Sequence, residues 1–338
     1  MKKTILMFLA LVVSNFVNAD WIMIENLEAD GVYYQITLGS SRNYAKVIHP
    51  MEYAEFQGLI DTDYGDIPIE GYVGDIVISP MIEYEGSEIP VTEIGNGAFR
   101  HERYFGGGDW WESVSSVSIP NSVTTIGDEV FADCPCLTTI EIPSSVVQMG
   151  KGVFQNCSYL NSVTLPSGIS RLGERTFSGC GRLTTIIIPE QVMEIDDEAF
   201  LGCRSLTKVV VPNSVMKIHE EAFSGCSALQ SVVLSSKLSE IGSMAFYGCD
   251  KLKEITALGK RPAAIQEDVF PNRSIQTLFV PVGCTSAYEA ADYWWQFKEI
   301  LETGAQPGIK EGDVNGDGKV NVTDIMRIVN IILNTNNP

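Results

Sequence analysis

Histidine is scarce. The 338 residues hold only His49, His101 and His219, so histidine-rich metal centres and most histidine-based proton transfer have few places to sit. Basic residues are also short, with 23 Lys and Arg against 43 Asp and Glu and a net charge of −20. A surface of that sign repels phosphate backbones and anionic lipid, which argues against nucleic acid as a partner. G-x-S-x-G, H-E-x-x-H, phosphate-loop and dinucleotide fingerprints are all missing. Acidic pairs are common enough that motif alone does not exclude a glycosidase. The hydrophobic fraction of 45% nonetheless places the chain among folded proteins rather than disordered ones.

Long apolar runs are missing as well, except at the start. Residues 1–19, MKKTILMFLALVVSNFVNA, combine Lys2 and Lys3 with an apolar stretch from Ile5 to Val13. Val17 and Ala19 stand three and one residues before a cut ahead of Asp20. The run is too short to span a bilayer and reads as a secretory signal peptide. No membrane span is expected after its removal, which places the protein outside the cell or on its surface.

What the chain has in abundance is repetition. Phe131, Phe154, Phe177, Phe200, Phe223 and Phe246 recur every 23 residues, as do Cys134, Cys157, Cys180, Cys203, Cys226 and Cys249. Leu137, Leu160, Leu183, Leu206, Leu229 and Leu252 keep the same step. Several columns in one register signal a solenoid of stacked coils. Within a coil, Ile140 and Ile142 alternate with Thr139 and Glu141, the period of a strand with Ile inward. A proline then stops the strand. One coil alone cannot bury its apolar face, so neighbours must share a core. The array begins at Phe99, with an insertion, HERYFGGGDWWES, before Phe131. It dissolves after the strand at 278–281 into a segment whose Tyr288, Trp294, Trp295 and Phe297 are placed to cover the open end. Strands read in residues 20–90 (YYQITL, GDIVIS, EIPVTEI) would cap the other end.

These AF/VF…C…L…I.IP.SV..I columns over about residues 90–281, with VTEIGNGAF before them and YEAADYWWQFKEI after, resemble the BspA-type leucine-rich repeat of secreted and surface proteins. The expected fold is a mainly β solenoid, a leucine-rich repeat of 23-residue period with an N-terminal β cap and a small C-terminal α calcium-loop/helix module. The expected organisation is signal peptide 1–19, cap 20–90, repeats with their C-terminal cap 91–301, linker 302–311 and terminal module 312–338. The resemblance implies a non-enzymatic binding or adhesion scaffold for an extracellular protein or glycan.

The terminal module reads GDVNGDGKVNVTDIMRIVNIIL. Asp313, Asn315, Asp317, Asn321 and Asp324 fall at loop positions 1, 3, 5, 9 and 12, and Lys319 at position 7 offers its carbonyl. Hard oxygen donors so spaced suit Ca²⁺, and Gly318 permits the sharp turn. An amphipathic helix carrying Ile325, Ile328, Val329 and Ile332 should follow. The segment resembles one calcium-binding repeat of a type I dockerin, a family that normally carries two. Val322 and Thr323 stand at loop positions 10 and 11, which often read the partner there. The resemblance implies a cohesin-like partner, and it opens an alternative role in extracellular polysaccharide degradation.

Two surfaces are candidates for binding. The outward column of the strands includes Ile187, Val210, Val233 and Phe279, an apolar row where water is expected; plain β-propensity would also place such residues there. The inserted loop offers Tyr104, Trp110 and Trp111 on a glycine hinge, either exposed to stack on a sugar or partner, or folded back on the scaffold. The cysteine column reads as buried free thiols filling apolar space, because parallel Cβ vectors suit a disulfide poorly. The acidic run Asp196, Asp197 and Glu198 reads as a solvated turn.

Overall fold

A computed structural model of the chain describes residues 11–12, 23–38, 44–48, 72–101 and 113–303. The chain divides into two compact units, Met1–Gly181 and Arg182–Pro338. Both are built from β-coils of the expected period. Of the segment read as a signal peptide, Leu11–Val12 alone is described, as a short strand paired with Met23 and Ile24. Residues 304–338, including the whole calcium loop, and Tyr104, Trp110 and Trp111 lie outside the described residues.

In the first unit, the strands Met23–Ala29 and Val32–Leu38 form a hairpin through left-handed Asp30 and Gly31, a turn whose twist matches its strands. The second strand pairs antiparallel with Tyr44–Val47. From there the sheet runs parallel through Ser87–Ile94, Thr125–Ile126 and Gln148–Met149. Tyr72 closes the apolar end of the ring column. Its ring lies 4.9 Å from Phe99, and its hydroxyl donates to the Ile48 carbonyl and accepts from the Tyr33 amide. Burial pushes that phenol well above its ordinary pKa.

The phenylalanines stack as the period requires. Rings 99, 131, 154 and 177 are spaced 5.4–5.5 Å apart in the first unit. Rings 200, 223, 246 and 270 are 5.0–5.3 Å apart in the second. Beside rings 99, 131, 154, 200, 223 and 246 the backbone bonds to the next coil, as in Phe131 N to Val153 O and Phe223 N to Ala245 O. The buried peptide groups there are thus satisfied without side chains. Ile140 and Ile142 point inward.

The cysteine column is a ladder of free thiols. Four sulfurs of the ladder hydrogen-bond to the phenylalanine carbonyl of the coil before: Cys157 Sγ to Phe131 O at 2.9 Å, Cys180 to Phe154 at 3.1 Å, Cys226 to Phe200 at 3.3 Å and Cys249 to Phe223 at 3.2 Å. Burial raises Cys157 to about 12 and Cys134 well above the usual range, and the hydrogen bond with Cys249, together with burial, raises Cys226 well above it. The folded protein therefore holds protons that the unfolded chain releases near pH 8.5–9. The contribution is complete below that pH and is lost as pH climbs toward 12, so alkaline melts should show stability falling across this window. A thiol reagent at pH 8 should label half-buried Cys136 and spare the ladder until denaturant is added. Rapid native labelling of Cys157 or Cys226 would contradict the buried ladder.

In the second unit the buried cap residues Trp294 and Phe297 pack against the last ring, Phe270, and buried Tyr288 packs against Trp294. Trp294 Nε1 donates to Ala263 O and the Tyr288 hydroxyl to Gly259 O. Trp295 departs from the expectation: it is 61% exposed. It follows Trp294 directly within the single 3₁₀ turn Trp294–Gln296, whose adjacent side chains point in different directions, so only one of the pair can face the core. Residues 183–189 also depart from the pattern and form no strand.

Candidate functional site

Alternation within each coil places one residue in two on an outward wall. In the second unit this wall is a five-stranded parallel ladder: Lys208–Val210, Ser231–Leu234, Glu254–Ala257, Thr277–Val280 and Glu299–Glu302. Val209, Val232, Ile255 and Leu278 fill the core beneath it. Register then aligns two outward rows. Lys208, Ser231, Glu254, Thr277 and Glu299 form a polar row, tied at one end by the Thr277 hydroxyl donating to Glu299 Oε1. Val210, Val233, Thr256, Phe279 and Leu301 form the other.

The row keeps Val210, Val233 and Phe279 in direct sequence-predicted alignment, with Thr256 contributing a methyl group between them. All are half-buried by their neighbours along the sheet. Ile187 is 72% exposed, but its segment joins no ladder, so strand pairing does not fix it in the row. Leu301 is the residue the repeat pattern missed. It pairs with Phe279 and is 41% exposed. The 23-residue step has dissolved by then, but the alternation in Glu299–Glu302 was a signal for it.

The first unit presents a different wall. Val77, Ser118, Glu141 and Thr164 take the corresponding outward places. Next to them Asp75 accepts hydrogen bonds from Ser116 and Ser115, which hold its carboxyl below the usual range. A shallow cleft of about 560 Å³ runs past Asn121, Glu141, Ser144, Thr164 and Ser167. Val117, Ile142, Pro143 and Leu165 line it as well, so polar and apolar groups alternate along it.

The edge strands Glu194–Ile195, Lys217–Ile218 and Glu240–Ile241 form a second parallel ladder. Here the acidic run is not simply solvated. Asp197 is exposed, but its Oδ1 accepts the Glu220 amide, while Asp196 and Glu198 are half-buried. The cause is the stacked neighbour coil, which covers what an isolated turn would expose. Asp196 and Glu194 approach His219. No described helix is long and apolar enough to cross a membrane.

Residues 92–230 and 193–299 match the model of the BspA type leucine rich repeat region, in six copies. Residues 311–338 match the model of the dockerin type I domain. A leucine rich cell surface protein from Faecalibacterium prausnitzii A2-165 has a similar structure, with 22% identity, TM-score 0.56 and coverage of 83% of this chain and 73% of that one. A leucine rich repeat protein from T. pallidum is 25% identical, with TM-score 0.48 over 65% of this chain and 87% of its own. At 22% identity the likeness to the Faecalibacterium protein concerns the fold. No curated protein matches the sequence.

Proposed function

The chain belongs to the BspA-type leucine-rich repeat family, and from that premise we propose that it is a secreted or cell-surface, non-enzymatic binding protein whose outward wall in residues 208–301 recognises an extracellular protein. The observation that supports this reading is the register-aligned row Val210, Val233, Thr256, Phe279 and Leu301. A purely solvated sheet has no need of two valines, a phenylalanine and a leucine in one file. Such a file, flanked by a polar row, has the form of an apolar interface core with a polar rim. Ile187 extends the apolar surface toward the preceding coil. Tyr104, Trp110 and Trp111 on the inserted loop supply a second contact, suited to a glycan or to a partner's apolar pocket.

The organisation that accompanies this function is signal peptide 1–19, cap 20–90, repeats 91–301, linker 302–311 and module 312–338. The donor set of the module fits calcium: carboxylate or amide oxygens from Asp313, Asn315, Asp317, Asn321 and Asp324, with the Lys319 carbonyl. The bound ion would fix the loop at the start of the following helix, and the module would dock the protein to a cohesin-like partner.

Replacing Val210 with glutamate tests the wall. Capture of the extracellular partner should fall by at least roughly tenfold, as for loss of an interface anchor. The melting temperature should move little, since a half-buried outward position costs at most about 1 kcal/mol. Unchanged capture, or a collapse of the fold, would remove the wall from consideration. Calcium chelation should abolish structure in residues 312–338 and leave the solenoid's circular dichroism intact. Equal loss of both signals would show that the terminal module is not independent.

A further inference from the structure

A column of glycines runs along the second unit's edge ladder and its counterpart in the first unit: Gly95, Gly127, Gly150, Gly173 and Gly242, each four residues before a core phenylalanine. The stack enforces it. A Cβ on Gly150 would meet the Gly127 carbonyl carbon at 2.5 Å and the Asp128 nitrogen at 2.6 Å. One on Gly242 would meet the His219 carbonyl carbon and the Glu220 nitrogen at 2.6 Å each. Three coils break the column: the last one, with Gln266, and two in succession, with Asp196 and His219. The latter two are neighbours in space as well as in the repeat. His219 Nε2 lies 3.3 Å from Glu194 Oε2 and 3.9 Å from Asp196 Oδ1, and the three ligand atoms all lie within 4.8 Å of one another.

We propose that Glu194, Asp196 and His219 form a binding site for a borderline divalent transition ion such as Zn²⁺, bridging two successive coils. One imidazole nitrogen and two carboxylate oxygens are a donor set that transition ions take and that Ca²⁺ and Mg²⁺ do not favour. Zinc bonds of about 2.0–2.2 Å in a tetrahedron separate the ligand atoms by about 3.3–3.6 Å. The two His219 separations, 3.3 and 3.9 Å, lie at and just above that edge, so small side-chain rotations complete the site and leave the fourth position to water. Lys217, between Glu194 and Glu240 in register, reaches Glu240 at 3.2 Å, and Asp197 is held by the Glu220 amide. In the metal-free chain the imidazole hydrogen-bonds to Glu194 and faces Asp196 at 3.9 Å, an ion pair only when it is protonated. The inference depends on neither the outward wall nor the calcium loop.

The test is Zn²⁺ titration of the full chain in saturating Ca²⁺, so that the C-terminal loop is occupied, against His219→Gly and Asp196→Asn. His219→Gly restores the glycine that the column carries elsewhere, so it should fold at least as well as the parent in chelator. The parent should bind one more Zn²⁺ than His219→Gly, or bind it roughly 10- to 100-fold more tightly, and Asp196→Asn should weaken it similarly. Co²⁺ in place of Zn²⁺ should give visible d–d bands without thiolate charge transfer. Identical isotherms for parent and both variants would overturn the proposal, and so would a thiolate-to-cobalt band, which would assign the ion to cysteine.

Discussion

Phe223→Ala is expected to cost about 3–5 kcal/mol and to lower the melting temperature by roughly 6–20 °C. The ring is fully buried and lies between Phe200 at 5.0 Å and Phe246 at 5.3 Å, its plane within 4° of both. Truncation removes the transfer energy of the ring and opens a void on both faces at once. The neighbouring rings cannot close that void without shifting their coils, because Phe200 N and Phe246 N are hydrogen-bonded to the coils that follow. In a stack each coil rests only on its neighbours, so the loss weakens two interfaces. Phe223→Leu should cost far less, since it keeps most of the volume. Chemical denaturation of both variants measures the difference. A cost below 1 kcal/mol for the alanine variant would mean the ring column is not the core.

Gly242→Ala carries the second large effect, about 1–3 kcal/mol from one added methyl group. The methyl would sit 2.6 Å from the main chain of His219 and Glu220, and main chain cannot rotate away as a side chain can. The two coils would have to separate where Gly242 N donates to Ile218 O at 2.7 Å and Ile218 pairs with Ile241. Gly181→Ala is the control. A Cβ there meets nothing within 4 Å and φ is not positive, so its change should stay within about 0.5 kcal/mol. Equal melting curves for the two variants would show that the coils do not approach as closely as described.

The solenoid was legible in the sequence because its causes are local and repeated. Phe131 and its successors must stack if the chain closes one turn every 23 residues, and Ile140 with Ile142 must point inward if Thr139 and Glu141 point out. The free-thiol reading of the cysteines followed from the same geometry. What escaped was set by neighbours rather than by the local pattern. Leu301 joins the apolar row because the cap returns to the ladder after the repeat has faded. Trp295 points outward because Trp294 takes the core place. Asp196 looked like part of a solvated turn, yet the next coil brings His219 beside it. The glycine column was visible as letters, but its meaning lies in distances to another coil. Of the candidate site, Val210, Val233 and Phe279 were legible by counting in steps of 23. Ile187 was counted with them, although its segment forms no strand.

The central claim is that a wall of the repeat array, rather than a pocket, meets the partner. A photo-crosslinking amino acid placed at position 233, in the apolar row, or at exposed position 216, away from that row, tests it directly in the extracellular fraction of the organism that makes the protein. The account predicts one calcium-independent crosslinked partner from position 233, lost when Val210→Glu is added, and none from position 216. Crosslinking from 216 with silence at 233 would contradict it.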